Sequence, residues 1–181
     1  MRTRKNTVTA LLAAALCVMA PLAVPLGPVP VTLATLGVYL AAGLMGPWRG
    51  LAAVGLYLAL GGIGLPVFAG FAGGLQQLTG PTGGFLWGYL LCALLAGLLC
   101  RTGAKPLTPV WLLCGAAVLY AAGCGWFAWQ TDTPLWSAVV LCAAPCLPGE
   151  CIKIALATGL ILSLRGRVER VLTHGVKAQR L

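Results

Sequence analysis

One acid and one base stand three residues apart inside an otherwise apolar segment, Pro145-Cys-Leu-Pro-Gly-Glu-Cys-Ile-Lys-Ile. Pro148 suits the first turn of a helix, where its missing N–H costs nothing. Glu150 then falls in that turn, where a carboxylate complements the helix dipole. Lys153 follows at i+3 on the same face. Ionisable residues in a membrane segment are costly and usually face a cavity or a partner. The plain alternative is a self-satisfied ion pair with Lys153 reaching to the interface. The grouping of proline, glycine, acid and base at one helix start favours a ligand site. Such a pair can bind a small molecule that carries both hydrogen-bond donors and acceptors.

A second stretch, from Leu65 to Tyr89, has no charge and is rich in glycine and aromatics. Irregular backbone at membrane depth must be buried in protein or line a cavity, so this connection can fold inward over a site. Gln76 and Gln77, with the nearby phenylalanines, Phe71 among them, and Trp87, can supply polar anchors and apolar walls, the usual makeup of a small-molecule pocket. Pro81 reads as the start of a helix, with Thr79 or Gly80 near its cap. Thr82, Gly83 and the first backbone amides can then meet a polar ligand group. Gly80, Gly84 and Gly88 recur at four-residue spacing, a stripe for close helix contact. On the same side Thr32 and Thr35 add hydroxyls, although such groups more often bond a preceding carbonyl.

Several chemistries are excluded. There are two serines, Ser137 and Ser163, and the single histidine, His174, lies in a basic tail. No hydrolase triad can be assembled from these. The eight cysteines include no C-x-x-C pair, so they read as small buried hydrophobes without a metal site; Cys146 and Cys151 alone flank the polar segment. No G-x-x-x-x-G-K-[ST] loop is present, so the chain does not use ATP through that fold. The net charge of +9 is not arranged as a basic stripe interleaved with aromatics, which argues against nucleic acid. The chain is no enzyme, and no cofactor is expected.

The elements that must position these residues follow from composition. Of 181 residues 60% are hydrophobic and only 8% charged, against roughly a quarter charged in soluble domains. The excess apolar surface must face lipid. At roughly 20 apolar residues per bilayer crossing, the chain forms one all-α membrane domain over 1–181. Six spans are predicted at about 8–26, 31–45, 48–65, 81–100, 109–129 and 148–165, with a basic tail over 166–181. Pro145 and Pro148 divide the last apolar stretch, which predicts a short extra helix at 136–144. The opening resembles a secretory signal, but Pro21 after the candidate exit at Ala20 disfavours cleavage. In the first span Ala10 and Ala14 form a small-residue pair that lets a partner helix approach. With both termini cytoplasmic, eleven of the twelve bases fall on the cytoplasmic side and only Lys153 does not, as the positive-inside rule requires.

Three motifs together are specific. Gly64-Leu-Pro-Val-Phe-Ala-Gly, Gly80-Pro-Thr-Gly-Gly-Phe-Leu-Trp-Gly-Tyr and Leu147-Pro-Gly-Glu-Cys-Ile-Lys resemble the BioY family in order and spacing. Pro28-Val-Pro-Val-Thr-Leu-x-Thr-Leu fits as well, so the resemblance covers nearly the whole chain. It implies a biotin-specific substrate-binding component of an energy-coupling-factor (ECF) transporter. Such a component is a multi-pass protein of a prokaryotic cell membrane and holds biotin near its outer surface. The partners implied are a transmembrane scaffold protein and two cytoplasmic ATPases. The family's acid and lysine map to Glu150 and Lys153. Two departures stand out: Glu150 where aspartate is commoner, and Ala34 where members often carry glutamine. Rival readings are a component for another vitamin, and a membrane scaffold whose ion pair is purely structural.

Overall fold

Proline and glycine punctuate a chain that is otherwise helical. The computed structural model describes residues 2–25, 29–102 and 105–173; Pro28, His174, Lys177 and Arg180 lie outside them. Helix α1 (Arg2–Met19) stops just before Pro21, which disfavours helical geometry in Ala20. The first span was expected to run on to Leu26, yet Ala23–Val24 is extended. This strand, β1, pairs antiparallel with β2 (Val31–Thr32), Ala23 facing Thr32 and Val24 facing Val31. The expectation of helix from residue 31 is corrected in the same way, because Val31 and Thr32 belong to that ladder. Helix α2 (Ala34–Met45) follows, and Thr32 Oγ1 accepts the Ala34 amide at its start, at 3.3 Å.

Gly46, at φ 79°, turns the chain, and Pro47 opens α3 (Pro47–Gly62). The two helices then pack backbone to backbone: a Cβ on Gly50 would lie 2.9 Å from Ala42 Cα. The glycine-rich connection folds back on the bundle through a short 3-10 turn (Ala69–Phe71) and a one-turn helix, α4 (Leu75–Thr79). Its backbone is tied at both ends. The Gly70 amide donates to Pro21 O at 3.1 Å, and the Gly74 amide to Gly61 O at 2.7 Å.

Helix α5 (Gly83–Thr102) is the centre of the packing, in contact with α2, α3, α4 and α6 (Thr108–Thr131). Gly84 and Gly88 face α6, where added Cβ atoms would meet Trp126 Cβ at 2.2 Å and Leu119 Cδ1 at 2.8 Å. Gly80 contributes its carbonyl, which accepts Trp126 Nε1 at 3.1 Å. Asp132 ends α6 in the left-handed conformation, and Pro134 precedes the short α7 (Leu135–Cys142). Residues 143–146 form the break expected from Pro145. Helix α8 (Leu147–Thr173) then runs to Thr173, past the predicted end at Arg165. Arg167 and Arg170 thus lie on helix, and the basic tail begins later than its charge suggests.

Among the described residues three helical segments, Gly83–Arg101, Thr108–Thr131 and Leu147–Val168, are long and apolar enough to cross a membrane. Helix α2, with 12 residues, reaches about 18 Å, short of the roughly 30 Å hydrocarbon core. Leu98, Leu113, Leu156 and Leu162 are exposed on the outside of the bundle, the surface an all-α membrane protein turns toward lipid.

Candidate functional site

Glu150 occupies the first turn of α8, and the amino-terminal turn of α2 faces it. Both ions are buried, with Glu150 3% and Lys153 6% exposed. Their side chains meet, Lys153 Nζ lying 3.1 Å from Glu150 Oε2. Thr35 bridges the pair, donating to Glu150 Oε2 at 3.3 Å and accepting from Lys153 Nζ at 3.0 Å. One turn further along α2, Tyr39 donates to Glu150 Oε1 at 2.5 Å. From the middle of α6, Tyr120 donates to Glu150 Oε2 at 3.1 Å. Three helices thus converge on one carboxylate.

This arrangement leaves a defined chemical surplus. Oε2 accepts three hydrogen bonds, whereas Oε1 accepts one and keeps a second lone pair. Lys153 commits two of its three N–H groups. One strong acceptor position and one strong donor position therefore stand side by side. A buried pair of this kind is weak evidence of stability by itself, because its desolvation offsets the Coulomb attraction. Its value lies in presenting both signs of hydrogen bonding in a dry place.

The place is a cleft. A small cavity is lined by Glu150, Lys153, Thr35 and Tyr120, with Phe85 and Cys146. A neighbouring, larger cavity is lined by Phe68, Gln77, Thr82 and Leu86. Val29, Pro30, Thr32, Phe85 and Tyr89 line both, so the two lie side by side against the same residues. One end is ionic and the other is mainly apolar with an amide and hydroxyls, as small-molecule sites are built.

The residues singled out from sequence separate into three groups. Glu150, Lys153 and Thr35 meet in the ionic end, and Thr82 lines the apolar end. Gly83 and Gly84 are buried by packing: a Cβ on Gly83 would lie 2.2 Å from Leu78 O. Gln76 and Phe71 are exposed, Phe71 at φ 60°, and neither lines the cleft; Gln77 does so instead. Ala10 and Ala14 are exposed on α1, whose buried residues include Ala13 and Leu16. Cys146 lines the cavity while Cys151 is exposed. Among the described residues no three His, Cys, Asp or Glu side chains gather as metal ligands.

Sequence reasoning missed Tyr39, Tyr89 and Tyr120. A usable signal existed for Tyr39, which stands at i+4 from Thr35 on one helical face. Tyr120 carried another, since a hydroxyl in the middle of an apolar span needs a partner.

Comparison with known proteins is consistent along the chain. The biotin transporter BioY of Rhodobacter capsulatus is 42% identical over 157 residues, 77% of this chain and 80% of that protein. The probable biotin transporter BioY of Pyrococcus horikoshii is 33% identical over 166 residues, 92% of this chain and 99% of that protein. The crystal structure of the S-component for biotin from an ECF-type ABC transporter superposes with a TM-score of 0.83 at 28% identity, over 91% of this chain and 92% of that one. The model of the BioY family matches residues 1–170, and the chain belongs to that family.

Proposed function

We propose that the chain takes up biotin, capturing it in the Glu150–Lys153 cleft as the substrate-binding component of an ECF-type transporter. The observation that carries this reading is the buried ion pair at the floor of a cleft whose remaining walls are largely apolar. Biotin has a matching division: a ureido group with two N–H donors and a carbonyl, an apolar bicycle, and a carboxylated tail. The open lone pair on Glu150 Oε1 accepts a ureido N–H, and the remaining Lys153 N–H donates to the ureido oxygen. Charge-assisted bonds of this kind are about twice as strong as neutral ones. Phe85, Tyr89 and Leu86 then flank the bicycle.

Capture is not transport, and the chain has no nucleotide loop. Energy would come from a scaffold protein and two cytoplasmic ATPases. The exposed pair Ala10 and Ala14 gives the scaffold a small-residue face on α1 against which a helix can approach closely. The chain is read as a single polytopic domain of the prokaryotic cell membrane, with six spans and both termini in the cytoplasm. Lys5, Arg49, Arg101 and Arg165 gather at one end of the bundle, which supports that orientation.

The test is competition binding. Detergent-purified protein loaded with labelled biotin is challenged with a panel of unlabelled vitamins. Displacement by biotin alone is expected; displacement by a different vitamin, or no saturable biotin binding, would contradict the reading.

A further inference from the structure

The end of the bundle opposite Glu150 carries another cavity. Arg165, which lines it, lies on α8 about 22 Å from the level of Glu150. Lys5 of α1, Arg49 of α3 and Arg101 of α5 line it too, so four helices each supply a base. Among the described residues no acid lines this cavity. Of the chain's three acids, Asp132 caps α6 and Glu150 sits in the biotin cleft, while Glu169 follows Arg165 by four residues on α8. Gly43, Gly46 and Gly97 form much of the remaining wall, with Leu44 and Met45 adding apolar surface.

Four like charges around one cavity repel unless something negative is shared between them. Backbone meets part of the demand. Arg165 Nη1 donates to Cys100 O at 3.2 Å, near the carboxyl end of α5, where carbonyls favour cations. Arg49 is placed differently: its Nη1 is shielded from solvent and meets no acceptor among the described residues. A buried N–H without an acceptor carries a desolvation cost that an anion's oxygen would remove.

We propose that this basic cavity binds a phosphate group, supplied by the headgroup of an acidic phospholipid. Guanidinium groups present forked donors that fit phosphate oxygens. Lys5, Arg49 and Arg101 stand near helix ends, the level at which headgroups begin, where each basic side chain attracts anionic lipid. Leu44 and Met45 offer apolar surface that the first methylenes of a lipid's acyl chains need and a free ion does not.

Wild-type protein and the double variant Arg49→Gln/Arg101→Gln are compared in detergent micelles doped with phosphatidylglycerol or with phosphatidylcholine. Native mass spectrometry reads the lipid retained, and a thermal melt reads stabilisation. Wild type is expected to retain phosphatidylglycerol in preference and to melt higher with it. Each lost base weakens acidic-lipid binding roughly fivefold, so the double variant should lose about 25-fold. The variant's melt in phosphatidylcholine should equal or exceed that of wild type, since like-charge repulsion is relieved, showing that the fold is intact. In a third arm, inorganic phosphate replaces lipid; saturable stabilisation by phosphate alone that the variant lacks supports the phosphate site and moves its source from lipid to solution. Equal retention of both lipids by wild type with no phosphate effect, or a preference that survives in the double variant, overturns the proposal. The first of these results leaves the cluster to an acidic segment of a partner chain.

Discussion

Glu150 is held by hydroxyls from α2 and α6 and by the ammonium of its own helix. The shortest of these bonds, from Tyr39, is fully buried. Hydrogen bonds to a charged group contribute about 1.5–3 kcal/mol, and phenylalanine fills the same volume without the donor. Tyr39→Phe should therefore lower the melting temperature of ligand-free protein and weaken biotin binding by roughly tenfold or more. Tyr120→Phe removes a longer bond from a partly buried residue, so a smaller loss is expected in the same titration. An unchanged affinity in Tyr39→Phe would remove that hydroxyl from the site. The sequence made Glu150 and Lys153 visible because ions are rare in apolar segments. The tyrosines that orient them were hidden, since aromatic residues within a span ordinarily read as packing or interface.

At the scale of the element, small residues decide how closely α5 approaches its neighbours. Gly84 has no room: its added methyl would overlap Trp126. Overpacking of this kind costs about 1–3 kcal/mol, so Gly84→Ala should lower the melting temperature while changing biotin affinity less than Tyr39→Phe does. Gly55 in α3 is the control, with nothing within 4 Å of its added Cβ; alanine there should be neutral or mildly stabilising. A Gly84→Ala protein as stable as wild type would contradict the packing account. The glycine stripe and the break at Pro145 were legible from spacing alone. The β1–β2 ladder was not, because a two-residue pairing across a connection leaves no periodic trace. The length of α8 was also hidden: charge marks where a helix leaves the apolar core and says little about where it ends.

For the whole molecule, the arrangement of charge and cleft links topology to ligand. Basic side chains collect at one end, and the ion-pair cleft lies toward the other. A fluorescent protein fused after Leu181 should fold and fluoresce in cells if the carboxyl terminus is cytoplasmic; a dark fusion at full expression would reverse the orientation. Biotin should also stabilise the bundle, since a ligand that binds only the folded state at 100 times its Kd adds about 2.7 kcal/mol. A melt insensitive to saturating biotin would favour a scaffold whose buried pair is structural.

The most direct measurement is an equilibrium titration with labelled biotin of the purified wild type beside Lys153→Ala and Glu150→Ala. Removing one partner leaves the other ion buried and unpaired, a loss of about 3–5 kcal/mol where the pair is fully enclosed. Each variant is therefore first shown by its melt to be folded at the titration temperature. The account predicts saturable binding by wild type and a loss of a hundredfold or more, roughly, in both variants. Wild-type affinity in either folded variant would contradict it.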